Sequence, residues 1–117
     1  MIVPGPATRV FLAAGATDMR KGYDGLAALV KSHLEADPLS GHLFVFTNRS
    51  RNRLKVLYFD GSGLWVCSKR LEKGRFSWPC AEDRGRVVHL RQEELALLIG
   101  GIELERTRDK EWWRRAA

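Results

Sequence analysis

The chain has 117 residues and a mass of 13.3 kDa, the size of one ordinary domain. An apolar share of 44% and a charged share of 29% speak against a disordered chain, and no apolar run approaches the roughly 20 residues of a membrane span. The net charge of +6 is gathered in one stretch. From Asn48 to Arg75, eight basic residues stand against only Asp60 and Glu72, so this segment holds the entire excess. A basic field of that kind suits a phosphate backbone, an acidic protein or an anionic surface. The start, MIVPGPATR, lacks the pattern of a secretory signal. Cys67 and Cys80 form no CxxC, which excludes a disulfide scaffold and argues against a zinc ribbon. Reduced thiols in the cytosol are the expectation.

In chain order, Arg9 to Ala13 reads as a short strand, broken at Gly15. Thr17 or Asp18 is positioned to cap a helix from about Lys21 to Glu35, in which Tyr23, Leu26, Ala27, Val30 and Leu34 share one face. Gly22 and Gly25 weaken its first turns. Asp37-Pro38-Leu39-Ser40-Gly41 is a turn. His42 to Thr47 is apolar on both faces and predicts a central strand. Two more strands follow at Arg53–Asp60 and Leu64–Arg70, separated by the turns Asn48–Asn52 and Gly61–Gly63. Arg75 to Trp78 predicts a further strand ended by Pro79, and Val87 to Leu90 another. Arg91 to Ile99 predicts an amphipathic helix with Leu95, Leu98 and Ile99 inward, stopped by Gly100-Gly101. The expected fold is α+β: an antiparallel meander of four to five strands, one packed N-terminal helix and a short C-terminal helix. The domain is expected over residues 1–104, with 105–117 as a charged tail.

Three segments carry candidate binding chemistry. Arg49, Arg51 and Arg53 alternate with small polar residues at a hairpin tip, and Lys55 follows on the strand. Arginine is the best bidentate donor to phosphate or guanine, and a two-stranded ribbon can enter a major groove. The alternative is a charged tip that guards a sheet edge. Lys69, Arg70, Lys73 and Arg75 form a second basic tip beside Trp65, Phe76 and Trp78. Those aromatics are either stacking platforms for bases or core. Arg20 and Lys21 at a helix start, after Asp18, form a third group suited to phosphate. Trp112 and Trp113, beside two arginines, suit partner docking or packing of the tail on its own sheet. His33, His42 and His89 are isolated, Cys67 has no recognisable partner, and the carboxylates do not cluster in the middle of the chain. Neither a metal site nor a cofactor site is expected.

Several ordered blocks together resemble one family. They are Thr17 to Leu26 (TDMRKGYDGL), Ser40 to Phe46 (SGHLFVF), and Asn48-Arg49 with Arg53-Leu54-Lys55, Leu57-Tyr58 and Asp60-Gly61. Lys69 to Phe76 (KRLEKGRF) with Trp78-Pro79 completes the set. The chain resembles the small Orf2-like (TnpB) accessory proteins of the insertion-sequence-66 class of bacterial transposable elements, over roughly Thr8 to Ile102. Ser50 departs from that pattern, where a basic residue is common, as do Cys67 and Ser68, where bulkier residues are common. The resemblance implies a part in DNA transposition beside a separate, larger transposase, and it supplies no catalytic residues.

The expected function is a non-enzymatic accessory factor. It would bind DNA at the element's ends or its target and assist the transposase and other element-encoded proteins, away from any membrane. Arg20, Lys21, Arg49, Arg51, Arg53, Lys55, Lys69, Arg70, Lys73 and Arg75 are the expected nucleic-acid contacts. Two rivals stand beside it. One is an adaptor that docks on the transposase without touching DNA. The other is a small nuclease built around Asp60 or His42.

Overall fold

The structure, a computed structural model, describes residues 5–78 and 87–100. Five strands and two helices follow in the order β1 (Val10–Ala13), α1 (Tyr23–Ser32), β2 (Leu43–Thr47), β3 (Arg53–Phe59), β4 (Leu64–Arg70), β5 (Val87–Leu90) and α2 (Gln92–Ile99). They form one sheet in the order β4-β3-β2-β1-β5. The fold is α+β, but the sheet is mixed and not a pure antiparallel meander. β1 and β2 run parallel, with Val10 opposite Leu43 and Leu12 opposite Val45. Parallel neighbours need a crossover, which α1 provides between the first two strands. The expected meander survives as β2-β3-β4.

Both faces of the sheet are covered, and the strand patterns show why. All five residues of β2 are buried, as befits the centre of the sheet. On one face Phe44, Phe46, Leu57 and Ala13 pack with Leu26, Val30 and Leu34 of the α1 segment. On the other, Val10, Leu12, Val45, Leu54, Val56 and Val88 pack with Leu95 and Leu98 of α2 and with Phe76 and Trp78. Neighbouring strand residues therefore belong to opposite cores, as the two-residue period requires. Tyr23, placed on the inward face of α1 by its spacing, is 54% exposed.

Arg75–Trp78 is not a strand. Its alternation of apolar and polar residues has another cause: the segment runs along the α2 face of the sheet, burying Phe76 and Trp78. Trp78 Nε1 donates to the Ala13 carbonyl of β1 at 2.9 Å. The chain thus leaves the β4 edge and returns to β1, beside which β5 pairs antiparallel.

α1 starts at Tyr23 and ends at Ser32, shorter than expected. Gly22 is its N-cap, without a side-chain capping bond, and neither Thr17 nor Asp18 caps it. Past its end, Ala36 N–H donates to the Val30 carbonyl, and Glu35 takes the left-handed conformation (φ 52°) that glycine usually supplies at such a stop. A side chain there costs about 1–2 kcal/mol, against which glycine's greater freedom in the unfolded chain costs about 0.4–1 kcal/mol. Glu35→Gly is therefore expected to stabilise the protein by up to about 1 kcal/mol, read as a higher urea midpoint at unchanged slope.

α2 begins with a reciprocal cap: the Arg91 N–H donates to Glu94 Oε1 at 2.9 Å. Glu94 is buried, and its Oε2 has no partner among the described residues. No helix among the described residues is long and apolar enough to cross a membrane.

Candidate nucleic-acid interface

Topology brings the three basic segments to one end of the sheet. Because β1 and β2 are parallel, their carboxyl ends lie together, and antiparallel pairing adds the start of β3 and the end of β4. Backbone bonds join the connecting loops there. Thr17 N–H donates to the Thr47 carbonyl at 2.7 Å, Leu71 N–H to that of Asn52 at 2.7 Å, and Phe76 N–H to that of Arg51 at 2.6 Å. The two basic tips are thus one tip, and the β1–α1 loop lies against it.

The Asn48–Asn52 turn is locally over-determined. Asn48 Oδ1 accepts from the N–H groups of Asn52 and Arg53, and its Nδ2 donates to Asn52 Oδ1 at 2.8 Å. Thr47 Oγ1 donates to the Arg53 carbonyl at 2.8 Å. These bonds hold Arg51 at φ 59°, a left-handed conformation that an arginine adopts at a cost of about 1–2 kcal/mol.

The cations at this end divide by what already holds them. Lys55 Nζ donates to the carbonyls of Met19 and Lys21 at 2.8 and 2.9 Å, so it straps the β1–α1 loop to β3. Lys69 Nζ donates to the Ile99 carbonyl at 2.7 Å, at the carboxyl end of α2, where a cation also complements the helix dipole. Arg70 pairs with Glu72 at 3.1 Å, and Arg20 with Asp18 at 2.8 Å. The Asp18 carboxyl is pulled down to about 2, first by the Arg20 side chain and then by the Arg20 N–H, so this pair stays ionised at any physiological pH. Lys21, Arg49, Arg53, Lys73 and Arg75 have no such partner among the described residues. Arg53 stands directly opposite Arg70 in the β3–β4 ladder, a like-charge pair that is locally unfavourable. Between them opens a groove of about 410 Å³, walled by Met19, Arg53, Lys55, Ser68, Arg70 and Glu72.

Lys55 is the member of this set whose loss should be felt in stability. Lys55→Met keeps the aliphatic stem and removes two charged hydrogen bonds. A loss of about 1–3 kcal/mol in denaturant unfolding is expected.

The remaining candidates sit elsewhere. Phe76 and Trp78 are core, which removes them as stacking platforms. Trp65 is 44% exposed, and its Nε1 donates to Asp60 Oδ2 at 2.8 Å. That bond, with the N–H groups of Ser62 and Gly63, holds the Asp60 carboxyl far below the usual carboxylate range. Asp60 thus serves the β3–β4 turn. His42 Nδ1 accepts the Arg9 N–H at 2.9 Å. Both residues lie at the opposite end of the sheet from the basic loops. Among the described residues no three histidine, cysteine, aspartate or glutamate side chains gather as metal ligands would. Cys80, Trp112 and Trp113, and the 105–117 tail, lie outside the described residues.

What the fold and its basic end define is a small α+β protein with a cationic platform at the loops of one sheet end. The chain belongs to the IS66 Orf2-like protein family, which it matches over residues 8–109, and that family is associated with transposition. Two proteins of Sinorhizobium fredii (strain NBRC 101917 / NGR234) are similar along nearly their whole length. Uncharacterized protein y4hO is 42% identical over 114 residues, 97% of this chain and 96% of that protein. Uncharacterized protein y4jC is 40% identical over 110 residues, 94% and 92% of the two chains. No solved structure matches the chain. Trp112 and Trp113 fall beyond the family match.

Proposed function

We propose that this protein is a non-catalytic accessory factor in transposition that binds DNA through the basic end of its sheet and so assists a separate transposase. The observation that carries the reading is the convergence of Lys21, Arg49, Arg53, Lys73 and Arg75, drawn from three separate segments, onto one set of interlocked loops. The mode of contact follows from dimensions. The arginine hairpin is not a free ribbon, because β2 and β3 are flanked by β1 and β4. Five strands at about 4.8 Å spacing span roughly 19 Å, wider than the roughly 12 Å major groove. The platform therefore lies across the groove and touches phosphates on both sides, with only turn side chains reaching inward.

Fluorescence anisotropy with a labelled duplex from the element's terminal repeat, beside a scrambled duplex, tests this. Five neutralised phosphates give a salt slope near −4.5 in log affinity against log salt. Preference for the terminal duplex would indicate end recognition, and equal binding a general DNA affinity. No binding to either duplex at low salt would overturn the proposal and favour docking on the transposase without DNA.

A further inference from the structure

The outer edge of β4 has no neighbour among the described strands. The hydrogen-bond alternation of the β3–β4 ladder shows which groups it presents. Asp60 N–H donates to the Gly63 carbonyl and Leu71 N–H to that of Asn52, and both pairs fall on the register that sets Arg53 opposite Arg70. Bonded pairs recur every second residue. Trp65, Cys67 and Lys69 therefore turn their backbone groups toward β3, and Leu64, Val66, Ser68 and Arg70 turn theirs outward.

Those four outward residues are centred on Cys67, and antiparallel pairing of β4 with its own copy satisfies all of them at once. Val66 then faces Ser68 of the copy, Leu64 faces Arg70, and Trp65 faces Lys69, so no two cations oppose. Sliding the register toward the carboxyl end brings Lys69 and Arg70 of the two copies together, which like-charge repulsion disfavours. Proteins usually guard exposed edges with charge along the strand. Here Leu64 to Ser68 carry none, and Trp65 is 44% exposed. The centred register instead sets Trp65 opposite Lys69 of the copy, an aromatic–cation pair with no like charges across the seam.

We infer that the β4 edge is a self-association surface: two copies join β4 to β4 about a dyad at Cys67, making a continuous ten-stranded sheet. The dyad stands perpendicular to the sheet, so the two basic ends lie at opposite ends of the assembly and do not repel at close range. This inference is independent of DNA binding. At the dyad, Cys67 and its copy form a non-hydrogen-bonded pair, with Cα atoms about 4.5 Å apart, which is within disulfide reach.

The test is the solution mass by sedimentation equilibrium, together with copper–phenanthroline oxidation in air. In the oxidation, two thiols lose two electrons and two protons to oxygen and form one disulfide. A mass near twice 13.3 kDa is expected, with a covalent dimer forming in a Cys80→Ser background and not after Cys67→Ser. Val66→Pro removes an outward N–H, which an edge strand tolerates, and keeps an apolar group against the α1-side core, so the β3 ladder is retained. Its circular dichroism should match the wild type while its dimer dissociation constant rises at least tenfold. Should Val66→Pro fail to fold, the Cys67 disulfide decides the matter. A monomeric mass at 0.2 mM protein, or a dimer without the Cys67 disulfide, overturns the inference and leaves the edge for a strand from another protein.

Discussion

Trp78→Ala is expected to cost at least about 3–5 kcal/mol in unfolding free energy, read by urea denaturation. Trp78 is only 3% exposed and lies in the core between the sheet and α2. Truncating a buried tryptophan to alanine costs about 3–5 kcal/mol through lost transfer energy and the cavity left behind. Its indole N–H also ends on the Ala13 carbonyl, and an orphaned buried acceptor adds about 1–3 kcal/mol. Small domains are stable by only about 5–15 kcal/mol, so the variant stands near the limit of folding. Trp65→Ala is the control. Trp65 is 44% exposed and touches a turn, and a cost under about 1 kcal/mol is expected. Equal costs for the two tryptophans would contradict the placement of the 71–78 segment under the sheet. The consequence reaches function, because this segment carries Lys73 and Arg75 to the basic end.

Local pattern located the strands and missed what depends on distant partners. β2 through β5 fall within a residue of their expected limits, since alternating burial and turn residues are local signals. That β1 pairs parallel with β2 was hidden, because no local feature of Val10–Ala13 names its neighbour. Phe76 and Trp78 show how a period can mislead. Alternation marks any extended segment with one buried face, and only a ladder partner makes it a strand. Asp18 reads as a helix cap, yet its carboxylate bonds the Arg20 N–H and guanidinium, and α1 begins later, at Tyr23, with Gly22 as its N-cap. The basic residues were legible as three separate groups of candidate contacts and not as one surface. Arg20 and Lys21 lie far along the chain from Arg75, and only the shared end of the sheet brings them together. Lys55 looked equivalent to Arg53. The β1–α1 loop, whose two carbonyls occupy its ammonium, makes it a strap.

That division among the cations sets the largest expected functional effect. Replacing Arg49, Arg53, Lys73 and Arg75 together with alanine removes four of the five cations at this end that have no partner among the described residues. Each neutralised phosphate contributes about 0.9 to the salt slope, so the slope should fall from near −4.5 to near −1. Raising salt from 50 to 200 mM would then weaken wild-type binding roughly 500-fold and the variant only about threefold to fourfold. Stability should not suffer. All four side chains are exposed, and losing Arg53 relieves its repulsion with Arg70 across the ladder. A control variant with Arg20 and Arg70 replaced removes two cations whose charge is already balanced by Asp18 and Glu72. These pairs are solvent-exposed and contribute little to stability, so the fold is retained, and the slope should change by less than one. Net charge alone would give this double variant about half the effect of the fourfold one, whichever cations they remove. The platform reading requires that position decides: the unheld cations bind phosphate, and the held ones build the surface on which they stand.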